Sequence, residues 1–133
     1  MGLDNGIVFE NRQRIRKYPF YVKRPMPDVN ADEICYWRKC WGIRSGILGV
    51  LNGADYPPET VYYEVKPEHI DSIIKVIKYF DNKRHWNEEN HSIWDYRKDR
   101  QHFILRRQVI NLKWLKKYMT EHPEDKVVFY DSY

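Results

Sequence analysis

The chain has 133 residues, which is the length of one ordinary domain. Aromatic residues make up 16% of it, including five Trp and eleven Tyr, so rings must dominate the core and some must lie at the surface. Lys and Arg outnumber Asp and Glu by 23 to 19, and this net charge of +4 favours anionic partners but excludes the strong field of a protein that coats DNA.

The sequence carries no signal for a membrane or an export pathway. No apolar run reaches the length of about 18 residues that a membrane span needs, and MGLDNGIVF lacks the basic and apolar regions of a signal peptide. We therefore expect a cytoplasmic protein. Cys35 and Cys40, placed on one helix, would diverge by roughly 140° at about 100° per residue, so they are expected to stay reduced thiols.

The first half of the chain predicts a strand, a loop and a helix. A short strand is expected at residues 6–10, after the turn-prone pair Asn5-Gly6. Residues 11–31 contain three prolines and read as an extended basic loop, with a second short strand at YPFYV. A helix capped by Asn30 or Asp32 is then expected to run to about Leu51, where Asn52-Gly53 ends it.

The second half predicts strands at both ends and two helices between them. We expect a strand at 60–65, an amphipathic helix at 67–81, a polar loop at 82–95, a long helix at about 98–121 and a final strand in KVVFYDSY. The long helix carries two apolar stripes and is expected to be covered on two sides. One stripe consists of Leu105, Val109, Leu112 and Met119. The other consists of Phe103, Ile110 and Trp114. This order indicates a single α+β domain spanning 1–133, with a three- to four-stranded sheet packed against about three helices.

Residues 33–44, EICYWRKCWGIR, combine rings and cations at high density on the predicted first helix. Arg44 falls near the middle of its wide apolar arc, beside Trp37 and Trp41. A buried guanidinium needs a carboxylate, a phosphate or an aromatic face. One interpretation is internal: Arg44 stacks on Trp41 or forms a salt bridge, with Asp4, Glu64 or Asp131 as possible partners. The other is that Arg44 lines a pocket and binds an anion bidentately.

The opposite arc of the same predicted helix consists of small residues, with Arg38 near its centre and Lys39 at its edge. The small residues are Cys35, Gly42, Ser45, Gly46 and Gly49. Such a smooth surface suits close packing of another helix or of a second copy of the chain, which would make a homo-oligomer. The alternative is that a flat ligand such as a nucleobase lies against it, with Arg38 and Lys39 over its phosphate. A helix break near Gly42 or Gly46 is a third interpretation.

Several short segments together resemble a family of small uncharacterised proteins of bacteriophages, prophages and their hosts. They are MGLD at the start, YWRK at 36–39 followed by Ile43, YYEV before an Ile-rich helix, and the terminal FYDSY. The resemblance implies a phage context, in which small accessory proteins often counter host defence by binding a protein or a signalling nucleotide. It implies no established activity.

Other constellations give weaker signals. The five histidines lack a metal-ligand spacing, and no nucleophile, base and orienting group occur together, so we predict no metal, no cofactor and no catalytic residue, and an enzyme is the least favoured class. Trp86 and Trp94 lie in a polar loop, where they can stack on bases or fold back over the core. The basic loop at 11–24 suits phosphate contact or simply solvates the surface.

The leading hypothesis is a non-enzymatic phage accessory protein that binds an anionic, nucleotide-like ligand and so sequesters a host defence signal. Its ligand-binding residues are predicted to be Tyr36, Trp37, Arg38, Lys39, Trp41 and Arg44. The alternatives are an inhibitor that binds a host protein through the glycine-rich face or the aromatic loops, and a protein that binds single-stranded nucleic acid through the 11–24 loop.

Overall fold

The computed structural model describes residues 4–10, 34–38, 40–53, 60–81 and 98–132. They form β1 (Asp4–Phe9), β2 (Cys35–Arg38), α1 (Trp41–Leu51), β3 (Val61–Val65), α2 (Pro67–Asp81), α3 (Lys98–Glu121) and β4 (Val127–Ser132). The predicted α+β class, with a four-stranded sheet and three helices, is confirmed. The predicted strand at YPFYV and the loops at 11–24 and 82–95 lie outside the described residues.

The four strands form one antiparallel sheet in the order β2-β1-β4-β3, so the strands nearest the two chain ends are its centre. Ile7 lies opposite both Cys35 and Phe129 in the register. Because side chains alternate along a strand, the odd-numbered residues of all four strands share one face. That face carries the fully buried Phe9 and Phe129.

The three helices of the described ranges supply the other half of the core. Arg44 of α1 and Gln108 of α3 both bond to residues of the odd-numbered sheet face, and α2 packs against α1 and α3. In α2 the buried residues follow three-and-four spacing, which turns one side of the helix inward. They are Ile70, Ile73, Ile74 and Ile77. Each such burial contributes about 1.5–3 kcal/mol to the free energy of unfolding.

The predicted helix at 33–51 is wrong in its first part, because residues 35–38 form the edge strand β2. Pairing with β1 gives this segment backbone hydrogen bonds and buries Cys35 and Trp37 against the core. The helix begins only at Trp41, after Cys40 with its non-helical φ of -100° and ψ of 74°. The predicted helix faces therefore apply only from residue 41 onwards. Cys35 and Cys40 are buried, form no disulfide and do not lie on a helix.

The end of α1 is as predicted, and the packing at Gly46 matches one of the alternatives, close approach of another helix. Asn52 adopts the left-handed conformation (φ 57°, ψ 42°) and its backbone N–H donates to the carbonyl of Leu48, which stops the helix. A Cβ on Gly46 would lie 2.6 Å from Cγ1 of Val76, so the glycine permits close packing of α2 on α1. A Cβ on Gly49 would meet nothing within 4 Å. A homo-oligomer through this face of α1 stays a prediction.

The two predicted apolar stripes of the long helix α3 differ in exposure, and the side chain of Phe103 in the second stripe lies outside the described part of the chain. Leu105, Leu112 and Met119 are buried, as predicted, but Ile110 and Trp114 are 40% and 43% exposed. The expectation of cover on two sides is therefore wrong at these two positions. Among the helices within the described ranges, none has the length and apolar character that crossing a membrane requires.

Candidate ligand-binding site

The alternation of strand β2 separates the neighbours Tyr36 and Trp37 onto opposite faces of the sheet. Trp37 is 3% exposed, and its indole N–H donates to Oε1 of Gln108 over 2.8 Å. Tyr36 is half-buried, and its hydroxyl donates to Oδ1 of Asp4 over 2.6 Å. These two predicted ligand-binding residues therefore cannot contact one small ligand from the same side.

The other predicted site residues are spread along the same segment. Arg38 is the last residue of β2 and pairs in register with Asp4, while Lys39 lies outside the described residues. Trp41 is the half-buried first residue of α1. The guanidinium carbon of Arg44 lies 5.7 Å from the centre of the Trp41 ring, which is within the range of a cation–π contact.

Arg44 itself is held by an internal carboxylate. Its Nε donates to Oδ1 of Asp131 over 2.8 Å and its Nη2 donates to Oδ2 over 2.9 Å. Arg44 is 3% exposed and Asp131 is fully buried, so this is a bidentate ion pair inside the protein. Asp131 is one of the three carboxylates that the sequence offered as internal partners.

A third polar residue completes this buried cluster. Nδ2 of Asn5 donates to Oδ1 of Asp131 over 2.6 Å, from the neighbouring strand. Within the described part of the chain, Oδ1 of Asn5 is buried without a hydrogen-bond partner. Asp131 neutralises the charge of Arg44, so the geometry favours the internal interpretation of Arg44 over the anion pocket.

A surface groove of about 250 Å³ lies between α2 and α3, away from the Arg44 cluster. It is lined by Ile77, Lys78, Leu105, Arg106, Val109, Ile110 and Lys113. Ile77 and Leu105 are buried and form an apolar floor, whereas Lys78, Arg106 and Lys113 are exposed at the rim. We call this site the α2/α3 groove.

The α2/α3 groove has a single sign of charge. Three of its lining residues are cations and none is acidic. Across the described ranges, Lys78, Arg106 and Lys113 take part in no ion pair, whereas the nearby Lys116 is bound to Asp71 at 2.7 Å. Cations that line a concave, partly apolar surface concentrate their field there, so this groove attracts anions.

Trp114 and Lys117 extend this surface along α3. Nζ of Lys117 lies 5.9 Å from the centre of the Trp114 ring, and both side chains are exposed. Apolar periodicity does not reveal this surface, because it predicts that Ile110 and Trp114 belong to a covered stripe. The available signal was the cations Arg106, Lys113 and Lys117, which share that side of the helix at i, i+7 and i+11.

Comparison of the chain with protein-family models, with curated proteins and with solved structures found no match. The resemblance to small phage proteins therefore stays a prediction. The α2/α3 groove is one concave site that side chains of the described ranges form.

Proposed function

We propose that the protein binds an anionic, nucleotide-like ligand without carrying out chemistry, and that the α2/α3 groove holds this ligand. The observation that supports the proposal most is the set of three cations, Lys78, Arg106 and Lys113, around an apolar floor with no acidic lining residue. Cations bind phosphate, and an apolar floor accommodates the face of a base. A ligand with both parts satisfies both features of the groove.

The size of the groove limits what enters it. Its volume of about 250 Å³ lies just below the range of about 300–1,000 Å³ that is typical of small-molecule pockets. One base or one sugar is therefore a better match than a whole dinucleotide. Phosphate groups would then remain at the rim, where the exposed ends of Lys78, Arg106 and Lys113 lie.

The proposal changes the role of the residues around Arg44. Arg44 and Trp37 are engaged by Asp131 and Gln108, so we assign them to holding the scaffold together. That Tyr36, Arg38, Lys39 and Trp41 bind a ligand stays a prediction, separate from the ligand proposed for the α2/α3 groove, which is lined by residues of α2 and α3. In a phage context, for which the sequence resemblance is the support, a protein of this kind would sequester a nucleotide signal of host defence.

The experiment is a thermal-shift screen of linear and cyclic nucleotides, followed by calorimetry of every hit. A ligand at one hundred times its Kd adds about 2.7 kcal/mol to the free energy of unfolding. We expect a hit, and we expect Arg106→Ala combined with Lys113→Ala to abolish its shift. Lys75→Ala is the matched control, because Lys75 is exposed on α2 but does not line the groove.

Two results would count against this function. One is a screen in which no nucleotide raises the unfolding temperature of the wild-type protein. The other is a nucleotide that binds the Arg106→Ala and Lys113→Ala double variant as tightly as it binds the wild type, because the groove would then not be the site.

A second candidate function is inhibition of a host protein, and the exposure of Trp114 and Ile110 beside the cations favours it. Exposed Trp surrounded by cations is typical of the residues that dominate protein interfaces. A stoichiometric protein partner that is lost with Trp114→Ala and Ile110→Ser, and that nucleotides do not displace, would support this candidate over the first.

A further inference from the structure

The exposed side of α3 continues the α2/α3 groove as a row of alternating cations and apolar side chains. In chain order its members are Arg106, Ile110, Lys113, Trp114 and Lys117, and each is exposed. At a rise of about 1.5 Å per residue, Arg106 and Lys113 are separated by about 10 Å along the axis, and Lys113 and Lys117 by about 6 Å.

This spacing favours a ligand whose phosphates lie at more than one place along α3. In a nucleoside diphosphate the phosphate groups are directly linked at one end of the molecule. One such cluster suits cations that converge on a point, whereas the backbone positions of Arg106, Lys113 and Lys117 extend over about 16 Å of helix axis. The ring of Trp114 also lies outside the groove lining, so a base held in the groove would not cover it.

We infer that the ligand carries two or more phosphodiester groups separated by nucleosides, as in a short single-stranded oligonucleotide or a cyclic one; this inference rests on the function proposed above. One base or sugar occupies the α2/α3 groove, and a neighbouring base stacks on Trp114. The phosphates between and beside them lie against Arg106, Lys113 and Lys117.

The order of the side chains favours a base-bearing polyanion over an acidic peptide. Trp114 lies between Lys113 and Lys117 along the chain, and its ring lies 5.9 Å from Nζ of Lys117, so a flat ring has a cation beside it. A single strand of nucleic acid presents the matching order, with a flat base between phosphates. Stacking of bases on aromatic side chains is the usual way in which proteins hold single strands without reading their sequence.

The dependence of Kd on salt concentration reports the number of phosphate contacts. Each phosphate contact to a single strand adds about 0.7 to the slope of log Kd against log salt concentration. Three contacts predict a slope of about 2. Removing one of these cations should lower the slope by one such step, whereas removing a cation elsewhere should leave it unchanged.

The experiment measures Kd for thymidylates from one to about six nucleotides long, for a cyclic dinucleotide, and for an acidic peptide of equal charge. We expect Kd to fall at least about tenfold between the mononucleotide and the tetranucleotide. Comparing the linear thymidylates with the cyclic dinucleotide shows whether the site binds a linear or a cyclic oligonucleotide more tightly.

Variants of the wild-type chain test the individual contacts. We expect Trp114→Ala to raise Kd for the tetranucleotide by about tenfold or more, and Trp114→Phe to retain most of the affinity because the stacking surface remains. Lys117→Ala should lower the salt slope by about 0.7, and Lys75→Ala should not change it.

The outcomes separate this inference from the proposed function. If mononucleotides bind as tightly as longer ligands and Trp114→Ala has no effect, the inference is overturned while the proposed function stands. If the acidic peptide binds more tightly than every nucleotide, the partner is a protein and the inference is overturned. If no nucleotide of any length binds, both are overturned.

Discussion

Arg44 and Asp131 join the first helix to the last strand through a bidentate ion pair, although they are 87 residues apart in the chain. Both groups are almost completely buried, at 3% and 0% exposure. Asp131 also accepts from Asn5 on the adjacent strand β1, so one carboxylate connects three elements of the fold. This pair therefore links α1 to the sheet through a buried polar contact.

Replacing Asp131 by Asn should destabilise the protein strongly. The substitution keeps the shape of the side chain but leaves the guanidinium of Arg44 buried without a counter-charge, which costs about 3–5 kcal/mol. Urea unfolding followed by circular dichroism measures the loss. Asp71→Asn is the control, because the exposed pair of Asp71 and Lys116 is worth only about 0–1 kcal/mol. Equal small losses in both variants would contradict the role given to Asp131.

The two glycines on the same side of α1 should respond to alanine with opposite signs. Gly49→Ala adds a methyl group in open space and should stabilise the helix by about 0.5–1 kcal/mol. Gly46→Ala gains the same propensity but drives its Cβ into Val76, and overpacking of this kind costs about 1–3 kcal/mol. We expect a net loss of about 1 kcal/mol at Gly46.

A second variant tests the cause at Gly46. In a Val76→Ala background the methyl groups that meet the new Cβ are absent, so Gly46→Ala should then stabilise the protein. Thermal or urea unfolding of the four proteins of this cycle gives the coupling energy. A coupling of zero would show that the contact between α1 and α2 is not as close as described.

Trp37 and Gln108 should be energetically coupled. The indole of Trp37 donates to Gln108, whose Nε2 donates in turn to the backbone carbonyl of Tyr36, so one side chain of α3 bonds the edge strand twice. Trp37→Phe leaves a buried acceptor unpaired, at a cost of about 1–3 kcal/mol beyond the change in packing. In the Gln108→Met background this part of the cost should disappear, and additive losses in a double-mutant cycle would contradict the coupling.

Most elements of this fold follow from local patterns in the sequence. The four isoleucines of α2 and the Pro67 start predict that helix residue for residue, and the dense apolar run of KVVFYDSY predicts the central strand β4. The prediction of a helix at 35–38 is wrong because these residues suit a helix or a strand equally well. Its strand state is decided by pairing with β1, about thirty positions earlier in the chain, which no local pattern reveals.

The candidate site was likewise only partly predictable from local patterns in the sequence. The sequence pattern predicts that Arg44 is a cation on an apolar face, with Asp131 as one of three possible partners. Which of the three carboxylates pairs with Arg44 depends on which strand ends beside α1. The α2/α3 groove needs the antiparallel packing of two helices, which brings Lys78 near Arg106 and Lys113. Their charges were visible in the sequence, but their convergence was not.

The most direct test of the account is an NMR titration of the labelled protein with the thymidylate tetranucleotide. If the α2/α3 groove is the site, backbone amides of residues 77–78 and 105–114 should shift in proportion to occupancy. The Nε–H signal of Arg44 should stay in place, because its partner is Asp131. The largest shifts at residues 41–48 with an unchanged groove would contradict the account, and so would a spectrum that no concentration of the ligand alters.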